Sequence, residues 1–149
     1  MKIILDIVPP KATAQQKGAF VRNGKIRFFE KAKVKSAREI LYASLYPFKP
    51  AEAINGIITL KVLYFFPYRK AEKKSVVKNN VIIPHTVRPD LDNLEKLLLD
   101  VMTSLQFWHD DSQICAKWTE KHFAPQGKIV IEINEPLLDC DYFEEDDNE

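Results

Sequence analysis

The chain has 149 residues, 46% of them apolar and 29% charged, enough for one domain built around a single core. No apolar run is long enough to span a bilayer, and the first six residues hold an acid and no small-residue cleavage site; a cytoplasmic protein with no membrane partner is expected. The formal charge of +1 conceals a division, because residues 139–149 carry seven acids and no base, which leaves residues 1–138 at +8. A body that basic points to a polyanionic partner. The expected organisation is one domain over 1–138 followed by a disordered acidic tail over 139–149. Cys115 and Cys140 show no metal-ligand spacing and are expected to be reduced.

Residues 1–8 alternate loosely in Ile and Val and predict a first strand, stopped by Pro9-Pro10. Residues 11–31 form an irregular or hairpin segment rich in bases, among them Lys17, Arg22, Lys25 and Arg27, with Asn23-Gly24 suited to a tight turn. Val34, Ala37, Leu41 and Leu45, joined by Ile40, predict a helix over 32–46 that Pro47 ends. The β-branched and aromatic run 57–66 reads as a buried strand. After it, Arg69, Lys70, Lys73 and Lys74 lie in a polar loop.

The clearest helix is 92–105, where Leu94, Leu97, Leu98, Val101, Met102 and Leu105 make one continuous apolar stripe. Asp92 is placed to cap it, with Glu95 completing a capping box. Residues 107–111 are a loop. Residues 113–123 alternate as a strand with Ile114, Ala116 and Trp118 on one face, and 128–134 are a last strand with Ile129, Ile131 and Ile133 facing one way. The order β, α, β, α, β, β gives an α+β single domain: two main helices on a small mixed sheet.

The informative segment is Arg88-Pro89-Asp90-Leu91-Asp92-Asn93-Leu94-Glu95-Lys96. In an extended approach to the helix, Asp90 and Asp92 share one side, and two carboxylates so close call for a cation. An all-oxygen donor set suits Mg²⁺ or Mn²⁺. Lys96 follows Asp92 by four residues, on the face away from the leucines. A second acidic pair, Asp110-Asp111, meets the first only if the following strand returns it to the helix start. Such a set fits phosphodiester hydrolysis. The residues also allow a plainer assignment: Asp92 a helix cap, Lys96 paired with Asp92 or Asp100, Asp110-Asp111 a turn, His109 a loop residue, and both Trp108 and Trp118 in a core.

Taken jointly, Asp90-Leu91-Asp92-Asn93 with Lys96, and then Phe107-Trp108-His109-Asp110-Asp111-Ser112-Gln113-Ile114, resemble the RusA family of crossover junction endodeoxyribonucleases, the Holliday junction resolvases of bacteria and their phages and prophages. The resemblance implies a RusA-like fold and a homodimer that resolves four-way DNA junctions by symmetric paired nicks in recombination and repair. It implies that Asp90, Asp92 and Asp111 bind Mg²⁺, with Mn²⁺ able to substitute, and that Lys96 is the catalytic lysine. The bases Lys17, Arg22, Lys25, Arg27, Arg69, Lys70, Lys73, Lys74 and Arg88 are then candidates for contact with DNA. The alternative is a catalytically inactive, prophage-type protein that binds branched DNA through the same surface.

Overall fold

The computed structural model describes residues 1–12 and 17–134; the acidic segment 139–149 and Cys140 lie outside the described residues. Strand β1 (Lys2–Leu5) is followed by a hairpin of β2 (Lys17–Arg22) and β3 (Lys25–Glu30), then helix α1 (Ala32–Leu45) and strand β4 (Ile58–Pro67). A five-residue helix α2 (Lys74–Lys78) and a two-residue strand β5 (Ile83–Pro84) interrupt what sequence alone reads as a loop. Helix α3 (Leu91–Ser104), strand β6 (Ile114–Ala124) and strand β7 (Lys128–Asn134) complete the described chain.

The main sheet has the order β1-β7-β4-β6-β5 and is mixed. β4 and β6 run parallel, because the crossover through α3 returns the chain to the end where β4 began. β7 runs antiparallel to both β1 and β4 and is clamped between them. The alternation along β4 is strict: Ile58, Leu60, Val62, Tyr64 and Phe66 are buried, and the residues between them are not. The buried set joins Ile129, Ile131 and Ile133 of β7, Val34, Ala37, Leu41 and Leu45 of α1, and the leucine stripe of α3 in one core. The helices therefore cover one face of the sheet, an α+β arrangement as the element order predicts.

Two local expectations need correction. Ile40 falls outside the buried stripe of α1 and is 50% exposed, because the core contacts only the line through Val34, Ala37 and Leu41. In β6 the residues Ala116 and Trp118 face away from the helices and are exposed; burial begins only at Phe123 and Ala124, where β5 and the aromatic cluster cover the strand. Trp108, by contrast, is fully buried. The predicted hairpin is present, with Asn23 and Gly24 both at positive φ (52° and 70°) as a tight two-residue turn demands. It forms its own two-stranded sheet apart from the main one.

Candidate active site

The registers put one end of the sheet in order. Leu5 and Tyr64 both stand opposite Ile129, and Tyr64 stands opposite Lys121, so β1, β4 and β6 all finish at the same end. The basic hairpin follows β1, the basic segment 68–74 follows β4, and α3 begins where that crossover turns back. In sheets with parallel strands, this carboxyl end is where sites collect.

Asp90 is the residue immediately before α3 and is extended (φ −73°, ψ 148°). Its carbonyl accepts the Leu94 N–H at 3.2 Å, but its side chain makes no capping bond. Asp92 is already inside the first helical turn, where the helix dipole favours a carboxylate. The expected capping box of Asp92 and Glu95 is therefore absent. The helix starts one residue early, and Glu95 is drawn to the sheet, where it accepts hydrogen bonds from Thr119 Oγ1 (2.6 Å) and Lys117 Nζ (2.8 Å). The i, i+2 alignment also ends at Asp90, because the chain turns helical after it. Asp90, Asp92 and Lys96 are exposed. None of the three has a side-chain partner among the described residues. In particular, Lys96 pairs with neither Asp92 nor Asp100, and Asp100 lies 3.9 Å from Arg38 of α1 instead.

Two residues that sequence reasoning passed over fix this corner. Lys121 of β6 reaches across to donate to the carbonyls of Val87 and Pro89 (the latter at 2.6 Å), which pins the segment leading into Asp90. His85 is buried, stacked 4.2 Å from Phe123 and tilted 4.6 Å from Phe66. Burial, with the ammonium of Lys121 beside it, lowers its pKa below the ordinary 6.5. The folded chain therefore keeps the imidazole neutral to lower pH than the unfolded chain does, and unfolding in mild acid takes up a proton. Stability is expected to be complete above the ordinary histidine pKa and to fall as pH drops below it, since there the unfolded state binds more protons. Urea titrations in neutral and mildly acidic buffer check this; His85→Phe should flatten the dependence, and an unchanged slope would refute it. Behind these residues, Tyr64 is buried with no partner for its hydroxyl among the described residues, its pKa raised by burial and by the charge of Glu95.

Asp110 and Asp111 form a different structure. Asp110 caps a short 3₁₀ turn, Asp111–Gln113, and accepts the Ser112 N–H at 2.8 Å; hydrogen bonds from Ser112 hold its carboxyl below the usual range. Gln113 ties the turn down. Its Oε1 accepts from the amides of His109 (2.8 Å) and Asp110 (3.2 Å), and its Nε2 donates to the carbonyls of Ile54 (3.0 Å) and Gly56 (2.9 Å). Sequence could have flagged it as the third residue after a capping Asp. Gln113→Ala removes all four bonds and is expected to cost about 1–3 kcal/mol in urea unfolding; a loss within error would show the clamp to be incidental. His109 is a loop residue, 2.9 Å from Asn55 Oδ1. Asp111 itself is exposed.

This turn lies at the wrong end of the sheet to join Asp90 and Asp92 within one chain. From Ile114 to Lys121, β6 advances about 23 Å, and the 14 residues of α3 span about 21 Å. Among the described residues, no three His, Cys, Asp or Glu side chains of the chain gather as a metal site.

Of the candidate DNA contacts, Lys17, Arg22, Lys25 and Arg27 are exposed on the hairpin, and Lys70, Lys73, Lys74 and Arg88 are exposed in the segment between β4 and α3, none of them in an ion pair among the described residues. Arg69 is partly engaged: it bonds Glu72 at 3.1 Å and lies 4.7 Å over the Phe123 ring. No helix among the described residues is long and apolar enough to cross a membrane.

A mixed sheet with helices on one face carries exposed acids at the start of α3 and exposed bases on the hairpin and between β4 and α3, and the chain belongs to the family described as Endodeoxyribonuclease RusA, whose sequence model matches residues 8–134. It is 37% identical over 131 residues to a protein of Lactococcus phage r1t named crossover junction endodeoxyribonuclease rusA, covering 88% of this chain and 93% of that one. It is also 26% identical over 131 residues to the uncharacterized protein YqaN of Bacillus subtilis (strain 168), covering 85% of this chain and 90% of that one.

Proposed function

We propose that this chain is a divalent-metal-dependent endonuclease that resolves four-way DNA junctions by symmetric paired nicks, working as a homodimer in cytoplasmic DNA recombination or repair. The observation that carries the reading is the group Asp90, Asp92 and Lys96, exposed at the carboxyl end of the parallel strands and without a side-chain partner among the described residues. The substrate class is supported by the name of the Lactococcus phage relative.

Asp90 and Asp92 fit a hard cation. Both offer carboxylate oxygens that no lysine or arginine of the described chain neutralises, and nitrogen or sulfur donors are missing from their motif. If Asp90 and Asp92 held Mg²⁺ or Mn²⁺, the ion would acidify a water and offset charge on the scissile phosphate. Lys96, one turn further along the same face of α3, presents its ammonium to a phosphate oxygen or to the departing 3′-oxygen. Lys121 keeps the loop before Asp90 in place. Asp111, the third carboxylate of the motif, is about 20 Å away in its own chain, so it joins the pair only when a second copy brings it. The hairpin bases, Lys70, Lys73, Lys74 and Arg88 then track phosphates beside the cut, which makes binding steeply salt-dependent.

The test is an end-labelled synthetic four-way junction incubated with the protein in Mg²⁺, Mn²⁺ or EDTA, beside Asp90→Asn. Paired nicks that need both metal and Asp90 support the proposal. Tight binding with no cut on any junction sequence would replace it with the inactive DNA-binding alternative.

A further inference from the structure

The hairpin of β2 and β3 has two unlike faces. Directly opposed residues share a face, and side chains alternate along each strand. One face therefore carries Gly18, Phe20 and Arg22 of β2 with Phe29, Arg27 and Lys25 of β3. The other carries Ala19 and Val21 with Phe28 and Ile26. The first face holds two aromatic rings, three bases and no acid. Phe20 and Phe29 meet with ring centroids 6.0 Å apart and planes tilted by 52°, and each remains about half exposed (47% and 48%). The Phe29 ring lies directly over Gly18, where any side chain would collide with it. Towards the turn, Phe20, Arg22, Asn23, Lys25 and Arg27 line a concavity of about 490 Å³.

The root of the hairpin is fixed beside the candidate site. Glu30 Oε1, at the end of β3, accepts from Arg38 Nε (3.2 Å) and Nη2 (3.1 Å) of α1, and Arg38 also lies 3.9 Å from Asp100 of α3. Asp100 is one turn beyond Lys96 on the polar stripe that begins at Asp92. DNA that follows this stripe from Asp92 reaches the hairpin root.

We propose that the aromatic face of the hairpin takes an unpaired base of branched DNA, stacked on Phe20 and Phe29, while Arg22, Lys25 and Arg27 hold the phosphates on either side of it. Rings interleaved with positive charges suit single-stranded nucleic acid, because every nucleobase offers a π-face and every linkage a negative charge. The opposite face has apolar side chains but only Lys17 for charge, set across from Glu30, and lacks that match. In continuous duplex each base is covered by its neighbours, and extruding one is costly. At a branch point the stack is interrupted and a base is available. The hairpin is therefore the element that tells a branch from plain duplex, an assignment that rests on the four-way-junction reading of the endonuclease.

The test is binding in EDTA, where nothing is cut, of a synthetic four-way junction and of a linear duplex with the same arm sequences. Phe20→Leu and Phe29→Leu keep an apolar side chain on each strand but remove the π-face. Each is expected to weaken junction binding about fivefold or more and to leave duplex binding within about twofold. Phe20→Trp, which keeps a π-face, is expected to bind the junction as tightly as the parent. Arg27→Gln is expected to weaken both substrates alike and to lower the salt slope by about 1. Phe28→Leu, on the opposite face, is the control and should change neither. Parental junction affinity in both Leu chains, an equal loss on duplex, or an equal effect from Phe28→Leu would overturn the assignment. So would a parent chain that binds junction and duplex alike, and altered sedimentation with unchanged DNA binding would give the face to a second copy instead. If Phe20→Leu and Phe29→Leu abolish junction preference although the parent cuts no junction in Mg²⁺, the hairpin's role stands and the endonuclease reading falls. Cutting by the parent, with junction preference intact in both Leu chains, gives the reverse.

Discussion

Asp90→Asn and Asp111→Asn chains are each expected to lose junction cleavage by about 10³-fold or more, since each removes a carboxylate worth several kcal/mol of transition-state stabilisation. Mixed in equal amounts and allowed to exchange, the two dead proteins are expected to cut again. Half of the resulting dimers are mixed, and in a mixed dimer one site has an intact Asp90 from one copy and an intact Asp111 from the other, while the opposite site lacks both. About a quarter of the parental sites should therefore work, and they should nick one strand rather than a symmetric pair. Single-chain sites make the opposite forecast: no mixed dimer holds a complete set, and activity stays at the background of the separate variants. A gel that resolves single from paired nicks decides between them. No recovery, after mass spectrometry has shown that subunits exchanged, would sink the composite site.

Trp108→Ala is expected to be the most damaging single truncation, at about 3–5 kcal/mol. The ring is 0% exposed, and its Nε1 donates to Thr103 Oγ1 at 2.8 Å, tying the end of α3 to the chain that follows it. Phe107 beside it accepts the Ile54 N–H at 2.8 Å, so the cavity opens where the Asp111 turn is anchored. Trp118→Ala gives the control: an exposed aromatic on a strand that the monomer leaves uncovered should change monomer unfolding by only about 0.5 kcal/mol. Urea midpoints for the two variants measure the difference. A loss below about 1 kcal/mol for Trp108→Ala would mean that the core around it collapses to fill the space.

The contrast between these tryptophans shows what a sequence can and cannot disclose. As large aromatics both are assigned to a core from residue type alone. Trp108 is buried because the end of α3 closes over it, whereas Trp118 lies on the face of β6 turned away from the helices. Long periodic segments were legible for a physical reason: in α3, β4 and β7 the apolar period matches the geometry of the element itself. β5 and α2 were not, because two and five residues carry too little period to register. The acidic motif was visible as residues but not as a place. Asp90 and Asp92 are local to one helix start, yet the distance to Asp111 depends on the length of α3 and the direction of β6, which no short-range pattern encodes. Lys121 and His85 escaped notice because each acts through backbone groups or aromatic rings distant in sequence.

The position of β7 bears on how the molecule comes into being. It lies between β1 and β4, and the amino group of Met1 donates to the carbonyl of Ile133 at 2.6 Å, across 132 positions of chain. While the polypeptide is being synthesised, β1 therefore has no neighbour to hold it, and β4 has only one flank filled, until residues 128–134 emerge from the ribosome. A nascent chain halted before that point exposes the apolar edges of two strands at once, an invitation to chaperones and proteases. The same closeness of residues 1 and 133 makes the fold a good host for circular permutation, with new ends cut at the Asn23-Gly24 turn.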